Sequence, residues 1–128
     1  MTAEAATFIR RQGAPDYIIV TNRDHAREAA TYQAEFRCQL QVPDNDAPQM
    51  DLKPTKTFKD GELLPGGIWV IQLTDQKSPG ESALFIQQGN GVLIVGDALI
   101  GKPTGALSLL ALEKYSDTAK AREGLRRL

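Results

Sequence analysis

The sequence predicts an α/β fold, in which a mixed sheet is flanked by helices within a single domain over residues 1–128. Near the start, apolar residues recur at helical spacing between Ala5 and Gln12. The run from Tyr17 to Thr21 is continuous, apolar and rich in β-branched side chains, which is typical of a strand buried on both faces. In the second half, turns rich in glycine and proline separate short apolar runs, as they do between neighbouring strands.

The first half alternates helices and strands. In chain order we predict a helix, a strand, a polar loop, a second helix and a short strand, over residues 5–12, 17–21, 22–25, 26–36 and 40–42. Gly13 and Pro15 follow the first helix and end it. The stretch 44–59 is polar and proline-rich, so it is predicted to be a long loop with one extended piece at 55–58.

The second half is predicted to be mainly sheet. Three strands and a closing helix are expected over residues 68–73, 83–87, 91–95 and 116–128. Gly89, Asn90 and Gly91 tolerate positive φ, so they predict a hairpin between the second and third of these strands. Ser116 is a suitable N-cap for the closing helix.

The composition excludes several classes of partner. Basic and acidic residues number 15 and 16, with a net charge of −1, so no electrostatic footprint for nucleic acid or an anionic membrane is present. The chain lacks a run of about 18 apolar residues, as a membrane span needs, and its first residues do not resemble a signal peptide. Cys38 is the single cysteine, which rules out an internal disulfide. We therefore expect a cytoplasmic protein.

Polar side chains at two predicted strand ends are the candidate functional residues. Asp24 and His25 follow the first strand, and Asp97 follows the apolar run from Val92 to Val95. Ligand sites in open α/β sheets form at the carboxyl ends of strands, and a buried carboxylate needs a partner or a cation. The three side chains are thus candidate ligands of a metal ion.

Simpler structural roles account for the same residues. Asp24 could take part in capping a helix start, and His25, the only histidine, could form a hydrogen-bonded pair with a carboxylate. Asp97 could brace the loop that follows it. Metal sites usually need three or four converging ligands, and spacing alone does not decide between these interpretations.

Three segments together resemble the metallo-β-lactamase superfamily. They are Ile-Val-Thr-Asn-Arg-Asp-His at residues 19–25, Lys-Ser-Pro-Gly-Glu-Ser at 77–82, and Leu-Ile-Val-Gly-Asp-Ala-Leu at 93–99. The family has a His-x-His-x-Asp-His loop after a strand, then a His-x-x-Gly-His loop, then Gly-Asp at a strand end. The resemblance implies a partial αββα sandwich that lacks the family's first strands and its last histidine, which would lie beyond Leu128.

The resemblance also implies that much of the metal site is lost. The family's two first histidines correspond to Val20 and Asn22, and the histidine that opens the middle motif corresponds to Lys77. Asp24 and His25 match the family's Asp-His pair, which is assigned to the second metal, and Asp97 matches its bridging aspartate. Glu81 takes the second position of the middle motif, so Asn22, Lys77 and Glu81 are expected to line the old pocket.

Two functions follow from this resemblance, and a third alternative is a structural protein in which the pocket has no function. The first is a degenerate domain with little or no hydrolase activity, retained as a binding or assembly module whose pocket holds a small polar ligand. In this domain Lys77 pairs with Asp97 or Asp24, and its ammonium replaces the positive charge of the metal ion. The alternative is a divergent mononuclear hydrolase with one weakly bound divalent metal (zinc, iron, manganese or magnesium) at Asp24, His25 and Asp97. Because a sheet without covering strands exposes edges and apolar surface, we also expect self-association as a homodimer.

Overall fold

In the computed structural model, which describes residues 2–128, the chain begins with helix α1 (Ala3–Gln12). The Thr2 hydroxyl accepts a hydrogen bond from the N–H of Ala5 and caps the helix, as hydroxyl side chains commonly do. Gly13 ends it at φ +105°, a conformation that residues with a Cβ rarely adopt. The helix predicted over residues 5–12 is confirmed, and it begins two residues before the predicted start.

A parallel sheet forms the first half of the molecule. Its strands are β1 (Tyr17–Ile19), β2 (Gln39–Pro43) and β3 (Lys56–Phe58), which lie side by side in that order. Helix α2 (Ala29–Phe36) connects β1 to β2 and packs over them, since parallel neighbours need a crossover connection. The core beneath α2 consists of Val20, Ala29, Leu40 and Val42.

Strand β1 is less buried than the sequence predicts. Tyr17 is exposed and Ile18 and Ile19 are half-buried, because β1 is the edge strand of its sheet and pairs only with β2. The predicted extended piece at 55–58 is confirmed as β3, whereas the single turn of 3-10 helix at Ala47–Gln49 lies in the segment that is predicted to be a loop.

An antiparallel sheet forms the second half. Its strands are β4 (Leu63–Leu64), β5 (Ile68–Gln72), β6 (Ser82–Ile86) and β7 (Val92–Ile94), paired in chain order. The hairpin predicted at 89–91 is confirmed, with Phe85 opposite Leu93. The strands thus divide between a parallel and an antiparallel sheet, and side chains of both sheets share one apolar cluster that includes Phe58, Val70 and Ile19.

The closing helix α3 (Thr118–Gly124) is shorter than predicted and has a different cap. The Asp117 carboxylate, not the Ser116 hydroxyl, accepts hydrogen bonds from the N–H groups of Ala119 and Lys120. A carboxylate at a helix start also interacts favourably with the helix dipole, which explains the preference. Leu125, in the turn of 3-10 helix that follows, packs against a buried apolar cluster that includes residues of the antiparallel sheet. Within residues 2–128, no helix is long and apolar enough to cross a bilayer.

Gly124 allows α3 to approach the loop after β5. A Cβ at this position would lie 2.5 Å from the backbone oxygen of Thr74, which cannot move without displacing the loop. Gly124→Ala should therefore lower the free energy of unfolding by about 1–3 kcal/mol through overpacking, although alanine is the better helix former by about 1 kcal/mol. Urea unfolding followed by circular dichroism measures the change.

Gly101→Ala is the matched control, since a Cβ there meets nothing within 4 Å. A Gly124→Ala protein as stable as the control would show that α3 does not pack against the Thr74 loop in solution.

Candidate functional site

The loop after β1 positions the first candidate residues. After β1 the chain bends at Thr21 and Asn22, where Asn22 has an extended backbone, and then forms one turn of 3-10 helix at Arg23–His25. The side-chain oxygen of Asn22 accepts the N–H of Asp24 at 2.9 Å and so caps this turn. The tight turn brings Asp24 and His25 to the carboxyl end of the parallel sheet, the position predicted from the sequence.

His25 links this loop to the Gly96-Asp97 loop. Its Nε2 lies 3.0 Å from Oδ1 of Asp97, and its Nδ1 lies 3.1 Å from the hydroxyl oxygen of Thr21. Because an ionised carboxylate only accepts hydrogen bonds, the network assigns the ring proton to Nε2 in the neutral imidazole. The Thr21 hydroxyl then donates to Nδ1, so both ring nitrogens have protein partners.

Lys77 lies between the two candidate aspartates. Its Nζ is 2.7 Å from Oδ2 of Asp24 and 4.0 Å from Oδ2 of Asp97. The hydrogen bond from Lys77 lowers the pKa of Asp24 below its ordinary range, and the same hydrogen bond raises the pKa of Lys77. These side chains are 24–37% exposed, so solvent screens the pair only partly. The ammonium stays charged at neutral pH.

Glu81 forms the buried base of the cluster. Its two oxygens accept hydrogen bonds from the side-chain amide of Asn22, at 2.9 Å, and from the backbone N–H of Asp97, at 3.0 Å. Burial raises the pKa of Glu81 to about 7 against the lowering effect of these two donors. Asn22 and Glu81 are fully buried, so they support the cluster from the protein interior and do not face solvent.

Gly96 makes this arrangement of Glu81 possible. A Cβ at Gly96 would lie 2.5 Å from Oε1 of Glu81 and 2.9 Å from the Thr21 hydroxyl oxygen, and the residue has φ +55°. Both the close approach and the left-handed backbone require glycine. The Gly-Asp pair thus lets the backbone of Asp97 reach the buried carboxylate.

Asp46, which belongs to none of the sequence motifs, joins the two loops of the site. Its carboxylate is fully buried and accepts the N–H groups of Arg23 and Gly80, each at 2.8 Å, together with the Ser78 hydroxyl. The Asp24 loop and the Lys77 loop therefore share one anchor. The only sequence signal was its position in a long irregular loop, a type of segment that is often functional in small domains.

The family of the chain is established by comparison with known proteins. The sequence profile described as metallo-beta-lactamase superfamily matches residues 6–128. The chain belongs to the metallo-beta-lactamase superfamily. A comparison with curated proteins found no significant match.

Members of the metallo-beta-lactamase superfamily usually bind divalent metals, but the donor set of this chain does not fit such a centre. Asp24, His25 and Asp97 lie together, yet in the part of the chain that the structure describes no three His, Cys, Asp or Glu side chains are arranged to hold an ion. The Nε2 atom of His25 is hydrogen-bonded to Asp97, and the Lys77 ammonium faces both aspartates. An ammonium at that point repels a cation instead of ligating it.

Glu81 predicts a specific dependence of stability on pH. Its pKa of about 7 in the folded chain exceeds the ordinary 4.5, so the folded state binds an extra proton between these values. Linkage then requires that the free energy of unfolding falls by about 1–3 kcal/mol as the pH rises from 4.5 to about 7. Above this range Glu81 causes no further change in stability.

Urea unfolding between pH 4.5 and 8 measures this slope. Glu81→Gln should remove the Glu81 contribution, and Glu113→Gln, at an exposed carboxyl, should leave the slope of the wild type unchanged. Equal slopes for the wild type and Glu81→Gln would show that Glu81 titrates normally.

Proposed function

We propose that this metallo-beta-lactamase-fold domain works without a metal centre, has little or no hydrolase activity and serves as a binding module. One observation carries the proposal: Nζ of Lys77 lies 2.7 Å from Asp24 and 4.0 Å from Asp97. The ammonium supplies the positive charge that the two carboxylates require, and it does so without a cofactor.

A side-chain cation does not replace the chemistry of a metal ion. Metal-assisted hydrolysis depends on a cation that binds water, lowers its pKa and holds the anionic transition state. The Lys77 ammonium has no vacant coordination position, and its raised pKa keeps it protonated. Val20 and Asn22, at the family's first two histidine positions, add no zinc ligand. The cluster therefore stabilises the loops but does not generate a nucleophile.

A second candidate function is supported by the convergence of Asp24, His25 and Asp97. The Lys77 side chain is 31% exposed and its long stem is flexible. A divalent ion in its place would bind two carboxylates and one imidazole only after His25 gave up its hydrogen bond to Asp97. A mononuclear hydrolase built in this way would lose its metal and its activity together when His25 or Asp97 is replaced.

Metal retention separates the two functions. After treatment with a chelator, the protein is dialysed against Zn²⁺ or Mn²⁺ and its metal content is measured by mass spectrometry. We expect wild-type protein to retain less than about 0.1 equivalents, and Lys77→His to retain about one, since the substitution exchanges the repelling ammonium for a ligand.

Lys120→His, at an exposed position of α3, is the matched control and should retain no more metal than the wild type. About one equivalent in the wild type, lost in His25→Ala and Asp97→Asn, would overturn the proposal and favour the mononuclear enzyme. A screen with phosphodiester, thioester and lactone substrates would then identify the reaction class.

A further inference from the structure

A cavity of about 320 Å³ lies beside the charged cluster, between β1 and the beginning of α2. Most of its wall is apolar and comes from Ile18, Val20, Ala29 and Tyr32. The cavity is open to solvent on one side, and its volume is near the lower end for ligand pockets. Its size therefore suits a small organic molecule with an aromatic or short aliphatic body.

Two polar side chains at this cavity belong to the network of the site. Thr21 and His25 both line it, and they are hydrogen-bonded to each other at 3.1 Å. His25 also contacts Asp97, which does not line the cavity. A molecule in the cavity would thus contact the site through His25 without reaching Lys77.

Arg27 provides a positive charge at the same cavity. Its side chain is exposed, and among the contacts of residues 2–128 it has no acidic partner. Glu28, the other charged residue of the wall, has partners of its own, which include the Thr31 hydroxyl. The unpaired charge of the cavity is therefore a guanidinium, whose planar N–H donors match a carboxylate.

We infer that this cavity binds a small amphipathic carboxylate, with the apolar body against Ile18, Val20 and Tyr32 and the carboxylate on Arg27. The inference gives a ligand class to the proposed binding function, on which it rests for its biological role. The residues that line the cavity do not include Lys77. An experiment can therefore contradict one of the two proposals without contradicting the other.

Titration with 4-phenylbutyrate, monitored by amide chemical shifts in chelator-treated protein, tests the inference. The uncharged 4-phenylbutyramide is the matched probe. We expect the acid to shift the amides of Val20, Thr21, Ala29 and Tyr32, and to bind roughly fivefold more tightly than the amide, the upper range for an exposed ion pair.

Arg27→Gln should weaken binding of the acid by about the same factor and leave the amide unaffected, whereas Arg122→Gln, at another exposed arginine, should change neither. Equal affinities of wild-type protein for acid and amide, or no shifts at these residues at millimolar probe, would overturn the inference. So would shifts of the same residues that depend only on protein concentration, since a second copy would then occupy the β1 edge.

A metal ion found in wild-type protein would contradict the proposed function but would not alter the result of this titration. Conversely, if 4-phenylbutyrate did not bind, the result expected from the metal retention experiment would be the same.

Discussion

Repulsion between carboxylates is the constraint around which the site is built. Asp24, Glu81 and Asp97 lie within one cluster, in the loops after β1, before β6 and after β7. Two sets of interactions offset these charges. Lys77 supplies a full positive charge to the two partly exposed aspartates, and the N–H groups of Asn22 and Asp97 donate hydrogen bonds to the buried carboxyl of Glu81. A charge in such surroundings would otherwise cost several kcal/mol.

The same interactions determine how the loops fold. Because Asp46 accepts hydrogen bonds from both the Asp24 loop and the Lys77 loop, the two ends of the ion pair are held by one buried carboxylate. Gly96 allows the third loop to approach Glu81. The chain belongs to the superfamily, and in the proposed function the side chains and backbone amides of this cluster take over the interactions that a metal ion would otherwise make. The proposed loss of hydrolase activity follows from the change of cation and not from a change of fold.

Much of the fold could be predicted from the sequence, because its elements have strong local signals. The helical spacing of residues 5–12 and the Gly-Asn-Gly hairpin gave the correct element type at the correct place. The division of the strands between two sheets and the exposure of β1 depend on long-range pairing, which leaves no local pattern. The cap at Asp117 in place of Ser116 reflects a competition between adjacent residues that both suit an N-cap.

The site was predictable only in part. The order of the three motifs indicated which residues would meet, but it left open whether Lys77 would pair with Asp24 or Asp97. That choice depends on angstrom-scale geometry, which favours Asp24. Asp46 has no motif, since its importance arises from donors that are 23 to 34 residues distant in the chain. The resemblance predicts Asn22 and Glu81 at a pocket, and in the structure both are fully buried and hydrogen-bonded to each other.

The most direct test of the account is the pKa of Asp24, measured by carbon-detected NMR titration of its carboxyl group in chelator-treated protein. If Lys77 takes the place of the cation, the pKa lies below the ordinary 3.8 in the wild type and rises toward that value in Lys77→Met. An Asp24 pKa that is the same in both proteins would contradict the account, because it would mean that the ammonium does not hold the carboxylate.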